Sequence, residues 1–501
     1  MKEEDTKNEK VKLMRNNLAI IFFIFTTSLS CSVLKPNTYL LKSNHEKALT
    51  YSNQINSEAL KKHLSILASD DFEGRETTTL GQKKAAEYIK NHFISSNIGF
   101  PPDQKSYFQE FKVDVSTFSN VNLKINDSSL IFINDFYSFG TPLNTESTTT
   151  KLLPAGHGII NKHNDDYNGL DVNGVVVALK RGIPESKNYK PKEGSWRSKV
   201  KTAYKKGAVG VVLIENDYKN TDLRIKEYLK YPIMKMHGNQ TSKPHIPVFI
   251  VDRDIIKTLK KDSLNITFST NITEPKPAEN VLGFIPGRKD EIIVISAHYD
   301  HIGYNNGEIC NGADDDGSGT SALLEIAKTF QKATDDGHIP ERGLLFLAVS
   351  GEEKGLYGSQ YYTDNPVFPL SKTTLDLNID MVGRKDTIQT NSNYIYLIGS
   401  NRISKELHNI SEQVNKKHIN FFLDYTYNDI NDPNKFYERS DHYNFAKNNI
   451  PVIFYFGGLH EDYHQPTDDV EKIDFQKLEK VTKYVFLTAW ELAYRKEAIK
   501  K

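Results

Sequence analysis

From about residue 275 onward, apolar β-branched runs of strand length alternate with stretches of helical period. The pattern predicts strand Glu291–Ala297, helix Ser318–Lys332, strand Gly343–Ser350, helix Gly358–Asn365 and strand Leu375–Asp380. Helix Ile403–Lys416, strand Ile450–Phe456 and helix Asp474–Lys496 complete the series. Such alternation predicts an α/β fold: a mostly parallel sheet flanked by helices. Upstream, Ser57–Ala68 and Thr79–Phe93 read as helices joined by a polar connector, Ser69–Thr78.

Between these regions the period changes from helical to alternating. Val121–Ile125, Leu130–Ile133, Gly174–Leu179, Ala208–Ile214 and Ile246–Val251 read as short strands, with helices over Lys199–Lys206 and Asp254–Lys260. Glu215–Lys243, rich in Lys, Asn and Tyr, reads as exposed. The expected organisation is therefore an α/β domain in two parts, 54–113 and 275–498, interrupted by a β-rich insert over 114–274. No internal repeat or long low-complexity tract is present.

The amino terminus has a different character. Leu18–Phe25 (LAIIFFIF) is too short to span a bilayer and has the length of an export-signal core. Met14 followed by Arg15 is the start that such a signal would use, and residues 1–31 are read as the signal. Ser28-Leu29-Ser30-Cys31 is a loose version of a bacterial lipoprotein cleavage box, with Cys31 as the lipidated residue and 32–53 as a polar tether. The expected location is the bacterial cell envelope, held to the membrane only through that anchor, or otherwise secreted or periplasmic. Cys31 and Cys310 are the only cysteines, so a disulfide framework or multi-thiolate scaffold is excluded. Lys+Arg and Asp+Glu balance at 64 each, which gives no electrostatic footprint for nucleic acid. Nothing in the sequence sets an oligomeric state.

The chemistry gathers where the predicted strands end. One strand runs into SAHYDHIG, with His298 and Asp300, followed by NGADDDGSG and a helix. The next ends in Gly351-Glu352-Glu353, the third on Asp380, and the fourth leads to Asp462-Tyr463-His464-Gln465-Pro466. Ligands of open α/β sheets bind beyond the carboxyl ends of the strands, so these side chains are expected at one rim. An isolated Glu-Glu pair would count as surface, but this one follows the apolar run GLLFLAVSG. Asp380 ends an apolar strand, where an unpaired carboxylate would be costly. Asp314 and Asp316 are expected to shape the loop around Asp315.

SAHYDHIG, NGADDDGSG, SGEEKGLYGS, NIDMVG and DYHQPTD, in that order, resemble the M28 family of zinc peptidases. DVNGVVVALKRGI and KKGAVGVVLIE resemble a protease-associated (PA) domain, an insert found in several members. The resemblance implies a zinc exopeptidase fold and two zinc ions. One would be held by His298 and Asp380, the other by Glu353 and His464, with Asp315 bridging. Glu352 would be the general base, and Asp300 would hydrogen-bond the free nitrogen of His298 and fix its tautomer. His464 is preferred over His460 because it lies in the motif. His301 and His442 are kept as minor candidates for substrate contact, with His442 on the pocket wall. The loop Tyr425–Arg439 is expected to contribute to that wall, and His63, His157 and His237 are expected at the surface.

The resemblance implies an aminopeptidase acting on peptide substrates. A carboxypeptidase or dipeptidase on the same scaffold remains open, as does a non-catalytic peptide-binding protein. A one-zinc glutaminyl cyclase is disfavoured by the complete set of five ligands. The insert shows no residue of evident chemistry and is expected to influence access or partners.

Overall fold

The computed structural model describes residues 45–501 apart from 119–120, 139–143, 187, 221–224, 226–228, 230, 239–245, 259–263 and 271. The proposed signal, Met14 and Cys31 lie outside the described residues. The tether expected over 32–53 is corrected at its end: from His45 the chain is helical. His45–Ser52 buries Ala48, Tyr51 and Ser52. The Tyr51 hydroxyl donates to Asp336 at 2.9 Å, and its ring stacks on Trp490 at 5.6 Å.

The strand series predicted after residue 275 is present, and it forms the middle of a nine-stranded sheet. Lys289–His298 lies between Arg342–Val349 and Thr373–Asp380, and Val452–Phe456 follows; these neighbours run parallel. Successive residues of these strands face opposite cores, as the two-residue period requires. Ile293, Ile295 and Ala297 join one cluster with Leu344, Phe346 and Ala348, and Ile292 and Val294 join the other with Leu345 and Leu347. The first cluster is covered by the helices Ser57–Leu67, Leu80–Ser95, Gly319–Asp335 and Phe475–Tyr494. Their starts are set by side-chain caps: Asn56 accepts from the Ala59 amide at 3.0 Å and Asp474 from the Lys477 amide at 3.0 Å.

Outside this parallel centre most strand pairs are antiparallel, which periodicity did not foretell, although Tyr394–Ile398 pairs parallel with Phe422–Asp424 at one edge. Ile272–Ile285 pairs antiparallel with Arg342–Val349 and, along its length, with Phe108–Thr117. Tyr394–Ile398 pairs antiparallel with Val452–Phe456. The sheet is thus mixed at its flanks around the expected parallel centre. The long strand Ile272–Ile285 was missed because Thr273–Pro277 is exposed and polar, so only its second half carries an apolar signal.

The insert forms its own eight-stranded sheet, from Asn122–Ile125 to Leu264–Ser269, around a separate core that includes Leu152, Val177, Val212, Phe249 and Phe268. Its boundaries fall inside the two paired strands, from Phe108↔Val281 to Thr117↔Ile272, which carry the chain out and back. One further correction concerns 215–243. Ile233–Met236, expected to be exposed, pairs with Phe108–Thr117 at the edge of the nine-stranded sheet. His63, expected at the surface, is buried, with Nε2 3.0 Å from Glu325 Oε1 and Nδ1 2.8 Å from the Tyr88 hydroxyl.

Candidate metal centre

The four parallel strands deliver their carboxyl ends to one rim. His298 and Asp380 are the last residues of their strands. Glu352 and Glu353 follow Arg342–Val349 by a turn at Gly351. His464 follows Val452–Phe456 on a loop and holds a left-handed φ of 57°. Asp315 comes from the loop that opens the helix Gly319–Asp335, and its peptide bond to Asp316 is cis.

The Asp triplet shows how neighbouring carboxylates divide their work. Asp314 accepts from the Gly383 amide at 2.6 Å, and Asp316 from the amides of Gly319 at 2.8 Å and Met381 at 3.1 Å. Asp468 accepts from the Asp314 and Asp315 amides at 3.0 and 3.2 Å. These bonds fasten the loop to the end of the Asp380 strand and leave the Asp315 carboxylate to the centre. Gly319 allows the approach: a Cβ there would lie 2.3 Å from the Ile379 carbonyl.

Asp315 sits between the two histidines. His298 Nε2 is 3.4 Å from Asp315 Oδ1 and 3.6 Å from Asp380 Oδ1. His464 Nε2 is 3.2 Å from Asp315 Oδ2 and 3.0 Å from Glu353 Oε2. Two atoms each about 2.0–2.2 Å from one tetrahedral zinc lie roughly 3.3–3.5 Å apart. These four separations are those of donors that could ligate a metal, with Asp315 near both histidines. Several buried donor atoms face one another without a well-aligned hydrogen bond: His301 Nδ1 lies 2.9 Å from Glu353 Oε1, and His464 Nε2 lies 3.0 Å from Glu353 Oε2. Buried polar atoms left unsatisfied are costly, and mixed imidazole and carboxylate donors suit zinc, so the donor set fits the ions. His460, the rival, points elsewhere, with Nε2 3.2 Å from Asp314 Oδ2.

The electrostatics agree with a cation site. Burial raises the Asp315 carboxyl, but contacts with His298 and His464 hold it well below the usual range. Burial and the Asp315 charge likewise raise Glu353, and His464 and His301 bring it down to about 2. Burial lowers His464, yet Glu353 and Asp315 raise it to about 10. To bind a metal there, His464 would have to give up the proton that these carboxylates favour. Glu352 behaves oppositely. Burial first, then the charges of Glu353, Asp441 and Asp380, raise its carboxyl well above the ordinary value, against the pull of His298.

Asp300 requires a correction. Its carboxylate is 3.8 Å from His298 Nδ1, whereas its own backbone carbonyl lies 3.1 Å from that nitrogen and fixes the ring. The carboxylate instead accepts from the Thr77 hydroxyl at 2.9 Å and from the Glu352 amide at 3.2 Å. Asp300 thus orients the turn that carries Glu352. His301 and His442 are corrected as well: both are fully buried. His301 Nδ1 lies 2.9 Å from Glu353 Oε1, where with Asp315 and Glu353 it could itself hold an ion, and His442 stacks on Phe454 at 4.7 Å, behind the wall.

Sequence reasoning missed Arg75, which it placed in a polar connector. The guanidinium is buried and donates to the carbonyls of Tyr299 at 2.8 Å, Asn311 at 2.6 Å and Gly312 at 2.9 Å. It ties the His298 loop to the Asp315 loop. The signal was the preceding glycine: Gly74 has φ +65°, and a Cβ there would lie 2.4 Å from the Gly303 and Cys310 carbonyls. The cavity above the centre is walled by Met381, Phe436, Phe454, Phe456, Leu459 and Tyr463, with Arg439 at its side.

A zinc-exopeptidase fold carrying a β-rich insert is the class this architecture defines. Residues 280–489 match the model of peptidase family M28, and residues 148–259 match the PA domain. The first match falls on the nine-stranded sheet and the second on the insert. Among curated relatives, Aminopeptidase YwaD of Bacillus subtilis is 26% identical over 272 residues, 52% of this chain and 51% of that protein. A probable leucine aminopeptidase of Arthroderma benhamiae is 31% identical over 225 residues, 43% of this chain and 58% of that protein. The chain spans about half the length of the curated relatives it matches. Among solved structures, an aminopeptidase from Aneurinibacillus has a TM-score of 0.57 at 20% identity, covering 91% of this chain and 98% of that one. A zinc aminopeptidase from Bacillus subtilis has a TM-score of 0.51 at 19% identity, covering 89% and 98%. These likenesses show the fold.

Proposed function

We propose that this chain is a two-zinc aminopeptidase that removes residues from the N-termini of peptides. The observation that carries the reading is the sharing of Asp315 between the His298/Asp380 pair and the Glu353/His464 pair. The relatives named aminopeptidase support the class of reaction.

His298 and Asp380 would hold one ion, Glu353 and His464 the other, and Asp315 both. Bound there, two zinc ions would supply a water of pKa near ~7 and positive charge for the scissile carbonyl. Glu352 would accept a proton from the attacking water and return it to the leaving amine. Burial raises its carboxyl above the ordinary value, which favours uptake of a proton. Asp300 keeps it in place by accepting from its amide. Acid–base help of this kind is worth about 10²–10⁴-fold.

Glu352→Gln tests the reading: hydrolysis of an amino-acyl amide is expected to fall at least about 10²-fold, with two zinc ions still bound by elemental analysis. Wild-type turnover in that variant would remove the assignment. A panel of peptides with free and acetylated N-termini separates an aminopeptidase, which needs the free amine, from a carboxypeptidase on the same scaffold. A protein that binds the panel but hydrolyses none of it would be the non-catalytic alternative.

A further inference from the structure

Arg439 stands out in the cavity above the metal centre. The other charged side chains that line it with Arg439, namely His298, Asp315, Glu352 and Asp380, belong to the proposed centre. Its backbone is pinned: the Arg439 amide donates to the Phe436 carbonyl at 3.1 Å, closing a 3-10 turn over Phe436–Glu438. The next residue, Ser440, donates to Asp380 Oδ2 at 2.6 Å. One peptide unit therefore separates Arg439 from a side chain bonded to a proposed metal ligand.

The guanidinium nevertheless does not pair with those acids. It is exposed, lies over the Phe436 ring at 4.8 Å, and makes no ion pair among the described residues. Tyr463, on the cavity wall, feels its charge. An arginine that only balanced the buried carboxylates would turn in toward them. This one lines the cavity while stacked on Phe436, and its planar fork matches a carboxylate.

We infer that Arg439 reads a carboxylate of the substrate, so that peptides bearing one near the scissile bond are preferred. The inference rests on the aminopeptidase reading and adds a substrate class to it. The carboxylate has two possible sources: the C-terminus of a di- or tripeptide, or an acidic side chain at the first or second residue. The apolar walls, Met381, Phe454 and Leu459 among them, receive the rest of the side chain.

The test compares wild type, Arg439→Gln and Arg439→Lys on matched pairs. One arm uses Leu-Gly and Leu-Gly-Gly against their C-terminal amides. The other uses amidated tetrapeptides with Glu against Gln at the first or second position. In wild type, kcat/KM is expected to favour the carboxylate by about 10- to 100-fold in one arm, the worth of a charge-assisted hydrogen bond. That ratio is expected to fall to near unity in Arg439→Gln and to be partly kept in Arg439→Lys. Dissociation constants of the same pairs are measured by calorimetry in the Glu352→Gln background, so that binding is read without turnover. Equal treatment of carboxylate and amide in every arm, or an unchanged ratio in Arg439→Gln, overturns the inference while leaving the peptidase reading intact. Carboxylate-selective binding lost in the Gln variant, with no hydrolysis in any protein, would sink the peptidase reading and keep the role of Arg439. No hydrolysis and no selective binding would sink both.

Discussion

Ser440 Oγ donates to Asp380 Oδ2 at 2.6 Å and accepts from Asn378 Nδ2 at 2.8 Å. The hydroxyl bridges the strand that carries a proposed ligand to the loop that walls the substrate cavity. Partners that orient metal ligands are typically worth 10- to 100-fold in metal affinity. Ser440→Ala is expected to release one of two zinc ions about 10- to 100-fold more readily in a chelator competition, with the second ion little changed. Identical release curves would show that Asp380 needs no such support.

Removing the metal should cost stability as well as activity. The rim packs Asp315, Glu353 and Asp380 beside one another, and a ligand present at about 1,000 times its dissociation constant contributes roughly 4 kcal/mol. Chelation is expected to lower the melting temperature by about 8–16 °C and to abolish hydrolysis, both restored by zinc. A melting curve and a rate indifferent to chelator would count against the centre altogether.

His92 gives a pH dependence that is independent of the centre. Burial, then the neighbouring His63, lowers its imidazole to about 4. Its folded pKa thus lies below the unfolded value of ~6.5, so the unfolded chain binds the proton more tightly. The contribution to stability is whole above pH ~6.5 and is lost as pH falls toward 4, by at most about 3 kcal/mol. His92→Gln is expected to flatten this part of the stability profile in denaturant titrations at pH 7, 5.5 and 4. Parallel profiles for the two proteins would refute it.

Export and anchoring rest on the sequence alone, and we propose them on that basis. If Cys31 is lipidated, Cys31→Ser in a bacterial host should move the protein from the membrane to the soluble fraction and abolish labelling by a radioactive fatty acid. Membrane retention of the variant would argue for a different attachment.

His298 and Asp380, two of the proposed ligands, were legible because each closes an apolar run, where periodicity and polarity change together. Each closes a strand whose buried residues alternate between two cores. What escaped notice depends on contacts between distant segments. Arg75 looks like any arginine in a polar loop until the fold brings the Tyr299, Asn311 and Gly312 carbonyls around it. Asp300 was placed correctly near His298, but which of its oxygens meets the ring is a matter of backbone direction, which no motif encodes. The antiparallel strands were hidden because half of Ile272–Ile285 is solvent-exposed ribbon.

That ribbon and the strand Ile233–Met236 together lock the PA lobe to the peptidase sheet. The Tyr231 hydroxyl adds a second fastening, accepting from the Asn306 amide at 2.8 Å, while Asn305 Nδ2 donates to the His464 carbonyl at 3.3 Å. A swing of the lobe would have to tear main-chain bonds at the sheet edge or pull on the loop bearing a ligand. The insert is thus held by main-chain pairing at the edge of the peptidase sheet as well as by the two strands that carry the chain out and back.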